Sequence, residues 1–505
     1  MRQGPTAGAG IARGNIPALL IGAALFCIFA LVNRGPIYHH DTVGYIRGAS
    51  QALEKVLHLP ERAPDRSDPT ATPSAPGPAG SDGQPAEGIK WSNRSIYFGL
   101  LLAVADRLEA IWLVLALHAL LTAWLCLLLC RALSPGQDRR RVRRVFLGAS
   151  CVGAIGTGLP FVAAYLMPDL LFGLVLLDVP LLLLFPDLLS RAERLGLAGV
   201  LAYAALSHGA AALLAVLVCG AAAVFARTVA RRRAPAAAVL WVALAVGLGQ
   251  AGNWAVDATV RQVFGRPALW PPFLLARVVA DGPGTLWLRE HCGAGADLAL
   301  CAYVDALPPA DADVFLWDTR PGIGVLAATD SETQRRIVAE QPIVVAGAIT
   351  EHPLLQLSAS LRNAGRQLLR FGIEEYRHDP GLRAKLAALY PSQLDEFDRT
   401  LLTHHTPDWH ALDALHHAVM LGSLLLMAAL AWRPAPAGDA ADARESRRRA
   451  ALVLALVAGV VLNAAISGAL SEPHDRYGAR VAWVLPFAAA ALALHRLSAA
   501  RRREE

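Results

Sequence analysis

The sequence predicts an all-α polytopic membrane protein with about ten transmembrane helices and a small helical extracytoplasmic domain. Three observations support this fold class. Of the 505 residues, 55% are hydrophobic and only 17% are charged, which is too apolar for one water-soluble domain of this size. Long apolar runs recur along the chain, and clusters of arginine stand at their ends. A bilayer core requires about 20 apolar residues per helix, so these runs can be counted as candidate spans.

Ten runs qualify as spans, although some are short. The first follows a basic leader, but it is long for a signal peptide and no clean cleavage site precedes Asp41, so we expect it to remain in the protein. The fifth and sixth could instead be one bent element broken around His208, which would change the count. The runs are 16–32, 110–133, 145–166, 170–185, 195–206, 210–225, 236–254, 412–432, 450–470 and 481–494.

Arginine placement predicts the orientation of these spans. Clusters at 139–144, 191–194, 227–233, 444–449 and 501–503 should be cytoplasmic under the positive-inside rule. With ten spans both termini are then cytoplasmic, and the segments containing Asp41, Asp169, His208 and Asp475 emerge on the outer side. We expect a multi-pass protein of a bacterial inner membrane. The net charge of +6 comes largely from these arginine clusters, which indicate orientation. It gives no reason to expect a nucleic-acid partner.

The chain divides into three predicted regions. Residues 1–255 form an N-terminal transmembrane module whose first outer loop is 33–109. Within that loop, 60–88 is rich in Pro, Ser, Gly, Asp and Ala, which is typical of a disordered insert. The flanking stretches 45–57 and 96–110 have helical periodicity and are predicted to lie along the membrane surface as amphipathic helices.

Residues 256–410 have an ordinary soluble composition and are predicted to form the extracytoplasmic domain, with helical signals at 331–340, 353–371 and 380–389. Of the seven cysteines, Cys292 and Cys301 alone lie in a polar region, and a disulfide between them is the default in an oxidising compartment. The remaining region, 411–505, holds the C-terminal transmembrane helices and a cytoplasmic tail.

The stretch HHDTVGYIRGAS, residues 39–50, places Asp41 just past the first span and ahead of an amphipathic helix. This arrangement resembles the GT-C class of membrane glycosyltransferases, which take a sugar from a polyprenyl-phosphate or polyprenyl-diphosphate carrier. The lipid A aminoarabinose transferases and the protein O-mannosyltransferases are similar. The resemblance spans most of the chain in layout: an acidic residue and surface helices in the first outer loop, many spans, and a late soluble portion. It implies a GT-C-like fold.

The resemblance implies catalytic roles for two acids. An inverting transfer needs a base that takes the acceptor hydroxyl proton, and Asp41 lies at the membrane depth where both substrates arrive. The alternative is that Asp41 caps the helix that follows it. Asp169, in the stretch MPDLL, matches by loop position an acid that helps to bind a metal or the acceptor. The alternative for Asp169 is a polar turn in which Pro168 breaks the helix.

The stretch SEPHDRYGARVAWVLP, residues 471–486, is the richest polar cluster beside a span. His474, Arg476 and Arg480 could contact a lipid-linked phosphate, because arginine presents a planar fork of donors that matches phosphate oxygens. Tyr477 belongs to the same segment. The alternative is interfacial anchoring, with Asp475 paired to Arg476 or Arg480.

Weaker candidates surround this core. His208 could bind a phosphate or a sugar hydroxyl, or it could satisfy backbone groups at a helix break. Arg94 could line the substrate entrance, although anchoring is favoured for its aromatic neighbours. A divalent metal ion held by His39 or His40 with Asp41 and Asp169 is left open, and no metal ligand is assigned. The predicted site comprises Asp41 and Asp169 as catalytic residues and His40, Tyr45, Arg94, His208, His474, Arg476, Tyr477 and Arg480 as substrate-binding residues.

The sequence therefore predicts an inverting glycosyltransferase that moves a sugar from a polyprenyl-phosphate carrier to a hydroxyl on a lipid, glycan or protein acceptor at the outer face of the membrane. Such a transfer needs no nucleotide, which is consistent with the missing phosphate-loop motif. Serine-hydrolase and zinc-protease motifs are missing from the sequence as well. The alternative is a transporter or flippase of a lipid-linked intermediate. Polar clusters gathered at one face, without internal repeats, favour surface chemistry over passage. A non-catalytic assembly or sensor protein is the third class.

Overall fold

A computed structural model describes residues 13–57, 95–134, 137–264, 270–379, 381–432 and 440–504. In these ranges all regular structure is helical apart from one isolated β-bridge, so the predicted all-α class is confirmed. The predicted insert at 60–88 and the candidate residue Arg94 lie outside the described residues.

The helices up to residue 264 include both predicted helices of the first loop. In chain order they are α1 (Ile16–Phe26), α2 (Ile28–Asn33), α3 (His40–Leu57), α4 (Ile96–Arg107), α5 (Trp112–Leu133), α6 (Arg139–Gly156), α7 (Leu159–Ala164), α8 (Leu170–Leu184), α9 (Arg191–Ser207), α10 (Gly209–Thr228) and α11 (Ala236–Phe264).

The helices after residue 270 are shorter at first and then long again. They are α12 (Phe273–Ala280), α13 (Pro283–Gly293), α14 (Ala312–Trp317), α15 (Ser331–Glu351), α16 (Pro353–Leu369), α17 (Leu382–Leu389), α18 (Leu394–Arg399), α19 (Leu401–His404), α20 (Trp409–Trp432), α21 (Ala440–Leu470), α22 (Asp475–Ala482) and α23 (Val484–Glu504).

Six of the described helical segments are long and apolar enough to cross a membrane, which supports a membrane protein. The four other predicted spans correspond to shorter or interrupted helices. The run 16–32 is divided into α1 and α2 at Cys27, and 145–166 is divided into α6 and α7 around Gly158, while α8 and α9 have only 15 and 17 residues. The six segments are Trp112–Leu133, Gly209–Thr228, Ala236–Gln262, Trp409–Leu430, Asp442–Leu470 and Asp475–Ser498.

Helix α8 lies at the centre of the bundle, and all of its residues are buried. Helices α11 and α20 lie at the periphery and expose large apolar side chains such as Leu240, Leu248, Leu421 and Leu425. A helix that is apolar on all sides is suited to a lipid environment, because no polar face has to be hydrated. The short α8 is therefore a core helix that surrounding helices separate from the lipid.

The arginine clusters meet at one end of the bundle, which we call the arginine end. The chain leaves this end along α1 and reaches the opposite end, here called the site end, at Asn33. The contacts that define the arginine end are Arg143 with the Gly14 carbonyl at 2.8 Å, Arg141 with Ser498 at 2.8 Å, Arg131 with Glu193 at 2.8 Å and Arg448 with Asp187 at 2.5 Å. A shared end is what the positive-inside pattern requires of these clusters.

A second, smaller hydrophobic core lies in the region predicted as the extracytoplasmic domain. It is formed by α12 to α15, with Phe315 and Ile337 fully buried, and it contains the expected disulfide between Cys292 and Cys301. The predicted boundary at 255/256 falls inside α11, which continues to Phe264. Residues from α16 onward pack on the main bundle, where Tyr376 belongs to the principal core. By packing, the predicted domain 256–410 thus has two parts.

Candidate active site at the site end of the bundle

A short backbone pairing fixes the entrance of α3 beside the loop that leads to α8. Ile37 donates its N–H to the Ala164 carbonyl at 2.9 Å and accepts the N–H of Leu166 at 3.0 Å. The hydroxyl of Thr42 donates to the Leu166 carbonyl at 3.2 Å. These bonds join residues more than 120 positions apart in sequence. They bring the start of α3, which carries Asp41, to the segment that precedes Asp169.

Asp41 lies in the first turn of α3 and not in front of it, because the helix begins at His40. Its carboxylate is favoured there by the positive end of the helix dipole, which agrees in part with the capping alternative. The carboxylate also faces two imidazoles. Oδ1 is 3.2 Å from His40 Nε2, and Oδ2 is 3.8 Å from His39 Nδ1. Asp41 therefore lies where a carboxylate both stabilises the start of the helix and contacts the histidines of the candidate site.

Asp379 joins this group from the turn that precedes α17. Its Oδ2 is 2.8 Å from His40 Nδ1 and 3.9 Å from His39 Nε2. The hydrogen bond with His40 lowers the pKa of the Asp379 carboxyl. Burial, together with the nearby positive charge of Arg476, lowers the pKa of His39 well below its usual value, so this imidazole is neutral at pH 7.

Tyr165 connects the histidines to the arginines of α22. Its buried ring makes an edge contact with the His39 ring, with the centroids 5.7 Å apart. Its hydroxyl accepts a hydrogen bond from Arg476 Nη1 at 3.3 Å. Arg476 also donates to the Tyr477 hydroxyl at 3.3 Å. Two side chains, His39 and Tyr165, thus connect the predicted base Asp41 to the predicted phosphate-binding Arg476.

Arg480 is buried one turn further along α22. It donates to Asn463 Oδ1 at 3.0 Å and to the Ser467 hydroxyl at 3.1 Å. Its Nη1 lies 3.8 Å from Asp169 Oδ1. The Asp169 side chain makes no capping hydrogen bond to α8, which begins at the next residue. The carboxylate is therefore engaged with a cation, beyond what a simple polar turn requires.

His208 reaches the same cluster through Phe172. The Arg480 guanidinium lies 3.4 Å from the centroid of the Phe172 ring. The His208 ring makes an edge contact with the same Phe172 ring, with the centroids 5.1 Å apart. His208 separates α9 from α10, and its Nδ1 accepts the Ala210 N–H at 3.2 Å. His208 therefore accepts a backbone hydrogen bond at the helix break, which was the alternative to a binding role, and it also borders the candidate site.

His474 is held in a polar clamp with both ring nitrogens engaged. Nε2 is 3.0 Å from Asp313 Oδ2, and Nδ1 is 3.3 Å from Glu375 Oε1. Burial opposes protonation, but these carboxylates outweigh it and raise the pKa of His474 to about 10. Glu375 is likewise partly buried, yet the His474 hydrogen bond lowers its pKa to about 2. Asp475 pairs with Arg370 at 3.2 Å, and the alternative that pairs it with Arg476 or Arg480 is not what the structure records.

Tyr45 packs away from the arginines, between α3 and α4. Its ring makes an edge contact with Phe98, with centroids 5.2 Å apart. A side chain at Gly99 would meet the Tyr45 carbonyl oxygen at 2.5 Å, so the two helices approach closely here. This location suits a residue that joins the helices of the first loop.

An apolar groove of about 340 Å³ runs between α4, α5 and α9. It is near the site end, because Ser95 at the start of α4 donates to the Leu206 carbonyl at 2.8 Å, two residues before His208. Its lining contains almost no polar surface, which fits an aliphatic chain better than a sugar. The lining residues are Leu101, Leu117, Leu121, Gly196, Gly199, Val200 and Tyr203.

The structure brings together most of the predicted site residues and adds others. A continuous series of contacts through His39, Tyr165 and Phe172 joins these predicted residues: Asp41, His40, Asp169, His208, His474, Arg476, Tyr477 and Arg480. The prediction missed Asp379, Glu375 and Tyr165. One signal pointed to Asp379, because His-Asp dipeptides occur at 40–41, 378–379 and 474–475.

No family model, curated protein or solved structure matches the chain. The arrangement of these side chains therefore carries the functional proposal.

Proposed function

We propose that this protein is a membrane glycosyltransferase of GT-C-like type, which transfers a sugar from a polyprenyl-phosphate carrier to an acceptor hydroxyl at the outer face of a bacterial inner membrane. One observation carries the proposal: Asp41 and Arg476 come from opposite ends of the sequence and are joined through His39 and Tyr165. Arg480, the second arginine of α22, is reached from Arg476 through the Tyr477 ring. A carboxylate base beside clustered cations suits a reaction in which a hydroxyl loses a proton and a phosphate leaves as an anion.

In this proposal Asp41 accepts the proton of the acceptor hydroxyl while its oxygen attacks the anomeric carbon. The bond from that carbon to the carrier phosphate breaks, and polyprenyl phosphate departs with the electron pair. Arg476 is the candidate for the phosphate contact, because its bonds to Tyr165 and Tyr477 are long, at 3.3 Å each, and exchange readily for charged phosphate oxygens.

Arg480 and Asp169 act in the proposal as positioning residues. Arg480 is already held by Asn463 and Ser467, so its charge is fixed in place below Arg476. Asp169 faces Arg480 and keeps that buried cation from being unpaired. The clamp of Asp313 and Glu375 on His474 similarly fixes the start of α22, on which both arginines lie.

The groove between α4, α5 and α9 supports an apolar carrier. Its lining is apolar, and Tyr203 at one end lies only five positions before His208. A prenyl chain in this groove would place its phosphate at the site end, while the acceptor would approach from water.

We propose that the site end faces the outside and that both termini are cytoplasmic. The arginine clusters gather at the opposite end, as the positive-inside rule requires. The disulfide in the smaller core suits an oxidising compartment. The ten-span count is retained here if α1–α2, α6–α7, α8 and α9 lie within the bilayer as interrupted or short elements, with the smaller core outside.

One buried residue favours the alternative of a transporter or flippase. Asp178 lies in the middle of α8, is fully buried, and has no hydrogen-bond partner for either carboxylate oxygen among the described residues. An ionisable group at such a position is typical of ion or proton pathways in transport proteins.

The proposal is tested with the purified full chain in lipid nanodiscs and a panel of polyprenyl-phosphate sugars, by measuring release of polyprenyl phosphate. We expect release with one donor class, and Asp41→Asn to slow it about 10²- to 10⁴-fold, the usual contribution of a general base. Asp297→Asn is the matched control, because Asp297 is 98% exposed in the smaller core. Equal rates for Asp41→Asn and wild type would remove Asp41 as the base.

The transporter alternative makes a different prediction in liposomes. Transbilayer movement of a fluorescent polyprenyl-phosphate sugar would be lost in Asp178→Asn and kept in Asp41→Asn. Movement without any release of polyprenyl phosphate would favour the transporter over the glycosyltransferase.

A further inference from the structure

Four side chains form a compact group, here called the histidine corner. His39, His40 and Asp41 lie at the start of α3, and Asp379 joins them from the turn before α17. His39, His40 and Asp41 each offer one ligand atom, and these atoms lie within 4.8 Å of one another. Asp379 adds a second carboxylate from a position 339 residues away in sequence. The corner opens to solvent, since His40 is 51% and Asp379 is 42% exposed.

The hydrogen-bonding pattern of His40 calls for a cation. A neutral ring that donates its Nδ1 proton to Asp379, at 2.8 Å, presents a bare Nε2 to Asp41 Oδ1 at 3.2 Å. Two acceptors at that separation repel each other. The repulsion ends when either a second proton or a metal ion lies between them.

His39 favours the metal ion over the second proton. Its Nδ1 accepts the Asp41 backbone N–H in a long hydrogen bond of 3.3 Å and lies 3.8 Å from Asp41 Oδ2. A nitrogen that accepts a hydrogen bond carries a lone pair, and so long a bond exchanges readily for a metal ion.

We propose that the histidine corner binds one divalent transition-metal ion of the Zn²⁺ type, with His39, His40 and Asp41 as ligands and Asp379 as the carboxylate that orients His40. Imidazole nitrogens with a carboxylate select such ions over Mg²⁺ and Ca²⁺, which prefer all-oxygen ligands. A carboxylate that holds the second ring nitrogen of a ligating histidine is a common feature of these sites.

The geometry fits after a small contraction. Ligand bonds of about 2.0 to 2.1 Å place tetrahedral ligand atoms about 3.3 Å apart. The His40 to Asp41 separation of 3.2 Å already matches, and the His39 to Asp41 separation of 3.8 Å closes by about half an ångström. Three protein ligands leave a fourth position open toward solvent.

The experiment is an isothermal titration of the purified full chain with Zn²⁺, after removal of any histidine tag. We expect one equivalent to bind, and His39→Ala, His40→Ala or Asp41→Asn to weaken it at least 10-fold. Asp379→Asn should weaken it about 10- to 100-fold, as for other residues that orient a ligand. His405→Ala is the control, because His405 is exposed and outside the corner.

Two readouts separate a lost site from a lost fold. At a Zn²⁺ concentration near the wild-type dissociation constant, the thermal midpoint should rise in the wild type and rise less in Asp379→Asn, while the metal-free midpoints of the two proteins stay close. Co²⁺ in place of Zn²⁺ should give intense visible bands typical of a tetrahedral site. No binding by the wild type, or binding that Asp379→Asn and His40→Ala leave unchanged, would overturn the proposal.

Metal binding and sugar transfer can fail separately, because the titration needs no sugar donor. A metal ion on one carboxylate oxygen of Asp41 leaves the other oxygen to act as the proposed base, and without a metal Asp41 keeps that role. If the protein binds Zn²⁺ but transfers no sugar, the metal proposal stands and the glycosyltransferase proposal fails.

A second, independent observation concerns α16, which has the reverse of the usual polarity. Its leucines point outward, and Leu354 and Leu369 are among the most exposed large apolar residues, at 78% and 74%. Three of its polar residues point inward, because Gln356, Asn363 and Gln367 are buried, while Arg362 and Arg366 are exposed at the edge of the leucine face. In water this arrangement would expose a continuous apolar face.

The inward face of α16 makes hydrogen bonds and close packing contacts with neighbouring elements. Asn363 donates to Asp281 at 2.7 Å, and Gln367 donates to the His474 carbonyl at 2.8 Å. Helix α16 packs against α21, and a side chain at Gly468 would meet the Asn363 carbonyl oxygen at 2.6 Å. Helix α21 contains the candidate span Asp442–Leu470, so the exposed leucines lie beside a membrane-crossing helix.

We infer that the leucine face of α16 contacts the acyl chains of the bilayer. The face continues the apolar surface of the neighbouring span, and a polar-inside, apolar-outside helix is stable only where the surrounding solvent is apolar. The sequence prediction had placed 353–371 in a soluble domain.

Quenching by brominated lipids tests this inference in nanodiscs, with a fluorophore attached to one introduced cysteine at a time. The background is Cys151→Ser, which removes the exposed free cysteine of the native protein. We expect quenching at Leu361→Cys similar to that at Leu425→Cys on the peripheral span α20, and none at Glu332→Cys on the exposed part of α15. A probe at Leu361→Cys that behaves like the one at Glu332→Cys would overturn the inference.

Discussion

Asp169 and Arg480 face each other inside the bundle, with the carboxylate oxygen 3.8 Å from the guanidinium nitrogen and both side chains at least 94% buried. The pair joins the start of α8 to α22. Neither partner is solvated, so each depends on the other for compensation of its charge. Asn463 and Ser467 satisfy further donors of the arginine, which makes the pair part of a small network.

Removal of the cation should therefore destabilise the protein strongly. Arg480→Met leaves Asp169 buried and uncompensated, for which we expect a loss of about 3 to 5 kcal/mol. The loss is measured as a fall in the thermal midpoint of the detergent-solubilised protein. Arg320→Met is the control, because Arg320 is 69% exposed and its loss should leave the thermal midpoint close to that of the wild type.

The same pair predicts non-additivity. Asp169→Asn in the Arg480→Met background removes the stranded charge, so the double variant should be more stable than Arg480→Met alone. A double variant whose loss equals the sum of the two single losses would show that the residues act independently.

The clamp on His474 predicts that stability falls at high pH. The pKa of this histidine is about 10 in the folded protein against 6.5 for the free side chain, so the folded state holds the proton more tightly. Its contribution is complete below about pH 6.5 and is lost as the pH rises through about 10. The thermal midpoint should decline over this window.

Variants of the clamp should flatten this decline. In Glu375→Gln the charged partner is lost, so the alkaline loss of stability should be smaller, and the midpoint at pH 7 should be lower. His405→Gln, at an exposed histidine, should keep the wild-type profile. An unchanged alkaline decline in both Glu375→Gln and His474→Gln would assign it to other groups.

Much of this architecture was predictable, and its exceptions have physical reasons. Apolar periodicity located the helices, and arginine clustering predicted their shared end, because both patterns are local in sequence. The breaks at Cys27 and around Gly158 were missed, since hydropathy continues through them. The meeting of His40 with Asp379 could not be derived from spacing, because it depends on how α17 packs against α3 across 339 residues.

The disulfide between Cys292 and Cys301 should be present in protein extracted under alkylating conditions. The two cysteines are nine residues apart, and closing so short a loop contributes about 2 to 3 kcal/mol. Mass spectrometry of the peptide pair checks the bond, and Cys292→Ala with Cys301→Ala should lower the thermal midpoint. Two alkylated thiols in the native extract would place the smaller core in a reducing compartment, against the proposed outer location.

The orientation of the whole bundle can be tested with two single cysteines at opposite ends. Gly48→Cys lies on α3 near the histidine corner, where a side chain meets nothing within 4 Å, and Arg140→Cys lies at the exposed start of α6. In a Cys151→Ser background, a membrane-impermeant maleimide added to spheroplasts should label Gly48→Cys and spare Arg140→Cys until the membrane is opened. The reverse pattern would put Asp41 on the cytoplasmic side, where a lipid-linked donor presented to the outer face could not reach it, and the proposed transfer would then be wrong.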